Sequence, residues 1–141
     1  LVRHRSSYWK IKVYSKELYS QLLDRWVKVR TSPPVDRDLI VKFIRGFFDA
    51  EGTIARQDKR RVYIRMAQKD RALLEAVKAM LAVLGISTTE VFRSDRYGTY
   101  ALQISSGDVR KFVEIVGTDH PLKHARAVLF LNLGQGAGAQ L

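Results

Sequence analysis

The sequence contains no cysteine, which excludes disulfides and thiolate metal sites. It also lacks any apolar run near the ~18 residues of a membrane span, so no membrane partner is expected. The opening Leu1-Val2-Arg3-His4-Arg5-Ser6 is not a methionine start. It is charged and polar with no apolar segment after it, so no secretory leader is expected and the chain reads as intracellular. Histidine is sparse: His4, His120 and His124 are too scattered for a metal triad and are assigned structural or phosphate-facing places. Acid is scarce too. Fourteen Asp and Glu against 25 Lys and Arg leave a formal charge of +11, the electrostatic footprint of a polyanion binder. Nucleic acid is the leading partner, and no nucleotide cofactor is implied. A merely soluble basic protein or an anionic-membrane binder is the bland alternative. It is disfavoured because the basic residues recur along strand-like segments instead of forming one tail.

What is present suits one compact domain or one repeat unit: 141 residues, 46% of them hydrophobic. Trp9–Tyr14 alternates like a half-buried strand. Ser15 then caps a helix over Lys16–Val29, striped with Leu18, Leu22, Leu23 and Trp26. Thr31-Ser32-Pro33-Pro34 breaks the chain. The expected organisation is therefore an N-terminal strand-helix arm and linker (1–34), a core (35–133) and a glycine-rich tail (134–141). Within the core, Asp36 caps a helix over about Arg37–Ala50. Strands follow at Thr53–Gln57 and Arg61–Ala67, then a helix at Asp70–Leu84 closed by Gly85. A second hairpin runs from Thr89–Arg93 to Thr99–Ile104, and helices at Asp108–Val116 and His120–Leu133 complete the set. The order is αββαββα, an α+β fold with a four-stranded antiparallel sheet backed by helices on one face. The segments beginning at Trp9, Val62 and Tyr100 share a strand, polar junction, acid, helix pattern, a faint internal echo.

The stretch Ile44-Arg45-Gly46-Phe47-Phe48-Asp49-Ala50-Glu51-Gly52 poses a physical problem. Acids at a helix C-terminus are disfavoured by roughly 0.3–1 kcal/mol each, yet Asp49 and Glu51 sit where this helix ends. Between Leu39 and Ala50 its polar residues, Lys42, Arg45 and Asp49, fall on one narrow stripe. The remaining apolar surface needs cover on two sides: its own sheet, and a second element able to approach the small residues Gly46 and Ala50. A second copy in an isologous twofold contact satisfies this, with Phe43, Gly46, Phe47, Asp49 and Ala50 at the interface. Such a crossing brings two Glu51 carboxylates together. Hard oxygen donors without nearby Cys or His favour Mg²⁺ between them.

The same nine residues resemble the signature of the LAGLIDADG homing endonucleases. Gly46, Asp49, Ala50 and Gly52 are identical to it, Ile44, Phe47, Phe48 and Glu51 are common replacements, and Arg45 stands where a small residue is usual. One copy of the motif resembles the homodimeric, typically intron-encoded branch. The resemblance implies a site-specific double-stranded DNA endonuclease that hydrolyses phosphodiesters of a long pseudo-palindromic target with a divalent metal, in intron homing. It implies Glu51 as metal ligand at the scissile phosphate, with the Ala50 carbonyl contributing. Asp49 would hold the helix end and interface. Gln68 would order metal or nucleophilic water, and Lys123 would support the site. The plainer roles for the last two are a helix-capping amide and a surface lysine.

Alternation also predicts what the free sheet face presents. Thr53, Ala55 and Gln57 point away from the core, Lys59 sits at the turn, and Arg61, Tyr63 and Arg65 share that face, as do Thr99, Ala101 and Gln103. Arg93 and Arg96 serve bases or phosphates. Arginine suits guanine and glutamine adenine in a major groove that admits a β-ribbon; solvated or phosphate-contacting arginines are the alternative. A different functional class also stays open: a catalytically inactive LAGLIDADG nucleic-acid-binding protein, either an RNA maturase or a transcription regulator. An inactive half of a larger assembly is a further option.

Overall fold

In the computed structural model of the chain, the described residues are 2–3, 9–10, 24–25, 27–29, 31–58 and 61–132. Most of the expected arm helix, Lys59 and the tail lie outside them. Of the arm, β1 (Val2–Arg3) pairs antiparallel with β2 (Trp9–Lys10).

The core opens with α1 (Arg37–Glu51), capped by Asp36, whose side chain accepts from the Leu39 amide at 3.1 Å. It continues without a loop into β3 (Gly52–Arg56), which pairs with β4 (Val62–Gln68). Next come α2 (Arg71–Val83), β5 (Phe92–Arg93), β6 (Tyr100–Gln103), a 3₁₀ turn at Ser106–Asp108, α3 (Val109–Ile115) and α4 (Pro121–Leu131). This is the αββαββα order. Asp70 caps α2 through the Leu73 amide at 3.1 Å. Gly85, at φ +75°, closes it with paired bonds from Gly85 to Ala82 and from Ile86 to Leu81, the left-handed helix stop that glycine alone adopts without steric cost.

The antiparallel sheet has the order β3-β4-β6-β5, so the second strand of each hairpin occupies the centre. Ile54, Ile64, Met66, Leu102 and Ile104 point to the helix side. There they meet Ile40, Ile44 and Phe48 of α1, Leu73, Leu74, Val77 and Leu81 of α2, and Phe112 of α3. No polar side chain is buried among the described residues.

The second hairpin departs from expectation. From Thr88 to Phe92 the chain takes four steps while its partner strand takes three, from Ile104 to Ala101. The extra residue is a β-bulge, and it shortens β5 to two residues. Thr89 bridges the gap: its amide donates to Gln103 O at 2.8 Å and its hydroxyl accepts from Gln103 N at 3.1 Å. Past the bulge Val91 is buried and Phe92 points to the outer face.

Candidate active site and DNA-facing surface

The end of α1 is built from three directions. Lys123, one turn into α4, donates through Nζ to the carbonyl oxygens of Phe48 and Asp49, both at 2.7 Å. The Phe48 carbonyl also accepts from the Gly52 amide, so the ammonium adds a second bond there, supplies a partner for the Asp49 carbonyl and opposes the partial negative charge of the helix end. The Asp49 carboxylate turns into the 117–119 loop, accepting from the Thr118 hydroxyl and, at 3.1 Å, from the Asp119 amide. Arg45, on the same stripe, donates from Nε to Val116 O at 2.8 Å. Arg45 and Asp49 of the polar stripe are thus engaged within the chain, while Lys42 is exposed, and the contacts at the helix end offset the unfavourable placing of the acids.

Glu51 is exposed and keeps one described hydrogen bond, from Gln68 Nε2 at 3.3 Å. Gln68 is not the helix cap; Asp70 is. Its amide oxygen accepts from Lys69 N at 2.8 Å, which fixes the amide with its nitrogen toward Glu51. Both residues line a groove of about 360 Å³ with Phe43, Gly46, Phe47 and Ala50. Burial holds the Lys123 ammonium below its ordinary pKa, and the charges of Asp49 and Glu51 partly restore it.

Gly52 explains why the motif ends in glycine. Its backbone is extended, so conformation is not the reason. A Cβ there would lie 2.1 Å from the Phe48 ring and 2.7 Å from Phe48 O. The ring of Phe48 lies over that spot, edge-on to Phe112 at 5.2 Å and 5.0 Å from the Lys123 ammonium.

The interface expectations divide. Gly46 and Ala50 are exposed on one face of α1, and on the same face Leu39 and the half-buried Phe43 line a groove with Arg25, Lys28, Val29, Ser32 and Pro34. A Cβ added at Gly46 would meet nothing within 4 Å. Phe47 is only 8% exposed and belongs to the core, while the Asp49 side chain is engaged with its own loop. Leu39 was missed, although its spacing to Phe43 gives it away.

As a metal site the residues fit in part. Glu51 is a hard oxygen donor at an exposed helix end beside the Ala50 terminus, with no softer ligand nearby, which suits a divalent cation. Among the described residues no group of three His, Cys, Asp or Glu converges. Remaining ligands would have to come from water, phosphate or a partner carboxylate. His120 is structural: its Nδ1 caps α4 through the Lys123 amide at 3.4 Å.

On the outer sheet face Thr53, Arg65 and Gln103 form a cross-strand row, and Ala55 lies opposite Tyr63. Gln57 and Arg61 close the first hairpin, with Gln57 N donating to Arg61 O at 2.8 Å and Asp58 holding the Arg61 amide at 2.8 Å. Ala101 lies on this face by register yet is fully buried between the strands that carry Ala67 and Phe92. Arg93 does not join them. It pairs with Tyr100, whose register belongs to the helix side, and donates to the carbonyls of Asp95 at 3.0 Å and Arg96 at 3.2 Å. Arg96 caps the exposed tip against Tyr97 OH at 2.9 Å. Thr99 donates its amide to Asp95. Phe92 was not foreseen on the outer face because the bulge shifts the phase of its strand.

An acid-tipped helix packed on a sheet with one bare face defines the class: an α+β domain of αββαββα topology. Residues 38–117 match the LAGLIDADG-like domain family, and the chain belongs to it. It is 33% identical over 121 residues to homing endonuclease I-DmoI of Desulfurococcus mucosus, covering 84% of this chain and 58% of that protein. Homing endonuclease I-ApeI of Aeropyrum pernix is 28% identical over 86 residues, 60% of this chain and 38% of its own length. The structure of I-DmoI with DNA and Mn superposes with a TM-score of 0.60 at 33% identity, over 75% of this chain and 55% of that one. A variant of I-DmoI has been solved with its target DNA in the presence of Mg, and I-DmoI with DNA and Ca. The chain spans little more than half the length of I-DmoI. No helix among the described residues is long and apolar enough to cross a membrane.

Proposed function

We propose that this chain is one half of a site-specific, divalent-metal-dependent DNA endonuclease, completed by a second copy across the exposed face of α1. The observation that carries the reading is the position of Glu51. It is an exposed carboxylate at the end of α1, beside the exposed small residues Gly46 and Ala50, steadied by Gln68, with the Lys123 ammonium on the Phe48 and Asp49 carbonyls.

Each residue then has a role. Glu51 and the Ala50 carbonyl hold the cation, Mg²⁺ in the simplest case. When bound, the cation neutralises charge on the attacked phosphate and activates water. Gln68 fixes the carboxylate rotamer and presents its amide to water at the groove. Lys123 holds the helix end rigid and adds positive charge near the phosphate. The outer sheet face, in a chain of +11, takes the DNA. The presence of Glu51 favours the enzyme over an inactive nucleic-acid binder.

A second reading follows from the coverage of I-DmoI. The exposed Gly46 and Ala50 edge of α1 is filled equally well by a further unit of the same fold in a longer chain. The test is incubation with a randomised duplex library and Mg²⁺, sequencing the cut ends. The expected result is one pseudo-palindromic site with staggered breaks; no enriched cut site would overturn the enzyme reading. An asymmetric site would favour the two-unit chain.

A further inference from the structure

On the outer sheet face Arg65 of β4 stands directly across from Gln103 of β6. Gln103 Oε1 accepts from Arg65 Nη2 at 3.0 Å and from Nε at 3.4 Å. The guanidinium carbon lies 5.4 Å from the centre of the Tyr63 ring and 5.7 Å from that of Phe92. Gln103 is itself tied at its backbone by Thr89, next to the bulge. An exposed arginine is therefore held at one edge by an amide and flanked by two aromatic rings, before any ligand arrives.

We infer that Arg65 and Gln103 form one reading unit that selects guanine at a single base pair. In it Gln103 is a positioning residue for Arg65, not an independent reader of adenine. The inference rests on the DNA-reading role proposed above. A guanidinium has five N–H donors in a fixed fork. Gln103 occupies the side edge, Nε–H and one Nη2–H. The terminal edge, with parallel Nη1–H and Nη2–H, stays free. That edge matches the N7 and O6 acceptors of guanine in the major groove. Glutamine reads adenine only by accepting from the N6 amino group while donating to N7, and the Gln103 oxygen is committed to Arg65. The pair thus presents donors alone, and the N6 donor of adenine meets no acceptor. Pre-ordering by Gln103, Tyr63 and Phe92 reduces the side-chain entropy lost on binding.

The test is selection of bound duplexes from a randomised library by the full chain in EDTA, so that binding is read without cleavage. The wild type is expected to enrich guanine over adenine at one position by roughly 5- to 100-fold. Arg65→Ala and Gln103→Ala should both lower that preference at the same position, and the double variant should fall no further than Arg65→Ala. Gln103→Glu keeps an acceptor for the guanidinium and should retain the guanine preference even where total affinity drops. The unit is overturned if Gln103→Ala flattens a different position, if it leaves the Arg65-dependent position intact, or if a Gln103-dependent preference for adenine emerges. If the wild type enriches no sequence, the DNA-reading role fails and this inference with it. Clear enrichment with any of the three preceding outcomes sinks only the pairing.

Discussion

Lys123 and Asp49 meet through the main chain: the ammonium donates to the Asp49 carbonyl at 2.7 Å, not to its carboxylate. The lysine therefore acts on the helix terminus itself, and it leaves the Asp49 side chain free to anchor the 117–119 loop. The consequence is a rigid platform from which the next residue but one, Glu51, projects.

Replacing Lys123 by Met should remove two charge-assisted hydrogen bonds at the helix end, the Phe48 carbonyl keeping the Gly52 amide, and lower stability by about 1–3 kcal/mol, the range for losing a charged hydrogen bond, measured by denaturant unfolding. The linkage sign is opposite to that of an ordinary salt bridge. Lys123 titrates below its usual 10.5 in the folded chain because burial disfavours its charge, with Asp49 and Glu51 pulling the other way. Between the folded value and 10.5 the unfolded chain binds more protons. The contribution of this group to stability therefore rises with pH across that window. Comparing the alkaline unfolding curves of wild type and Lys123→Met should show this slope vanish in the variant; an unchanged slope would contradict the assignment.

The two glycines of the motif should respond in opposite ways. The Cβ of Gly46→Leu meets nothing within 4 Å and the change replaces a mid-helix glycine, so the isolated chain should gain about 0.5–1 kcal/mol. It should nonetheless lose association across α1, read as a shift to monomer mass in sedimentation with DNA present. Gly52→Ala places a Cβ 2.7 Å from Phe48 O and should lose about 1–3 kcal/mol, as overpacking does. A dimer surviving Gly46→Leu would remove the α1 interface.

Acid should loosen the second hairpin. The Asp95 carboxylate accepts from the amides of Thr99 at 3.1 Å and Tyr97 at 2.8 Å, and these bonds hold its pKa below the usual 3.8. Its contribution is present above 3.8 and is lost as pH falls through the lower folded value. Hydrogen exchange at the Tyr97 and Thr99 amides should quicken there, and in Asp95→Asn at neutral pH. Unchanged protection in the variant would contradict the turn assignment.

How much of this was legible beforehand depends on the distance over which each signal acts. Helices α1 and α2 were readable because caps and apolar spacing are local: Asp36 and Asp70 accept from amides three residues on. The central strand order and the bulge before Phe92 were not, since both depend on pairing with β6. The contacts of Asp49 with Thr118 and of Arg45 with Val116 span about seventy residues, so the sequence showed a polar stripe without its partner. Arg93 looked like a surface cation because nothing local reveals that its own turn supplies its acceptors. Lys123 was placed at the site only through family resemblance, and the structure brings it to the helix end.

The most direct test concerns Glu51. With a selected duplex target and Mg²⁺, cleavage rate and DNA affinity should be measured side by side for wild type and Glu51→Gln, which keeps the shape and the Gln68 contact while removing the charge. Cleavage is predicted to fall about 100-fold or more, several kcal/mol of transition-state stabilisation, with affinity for the target within a few-fold of wild type. Undiminished cleavage by Glu51→Gln would contradict the account.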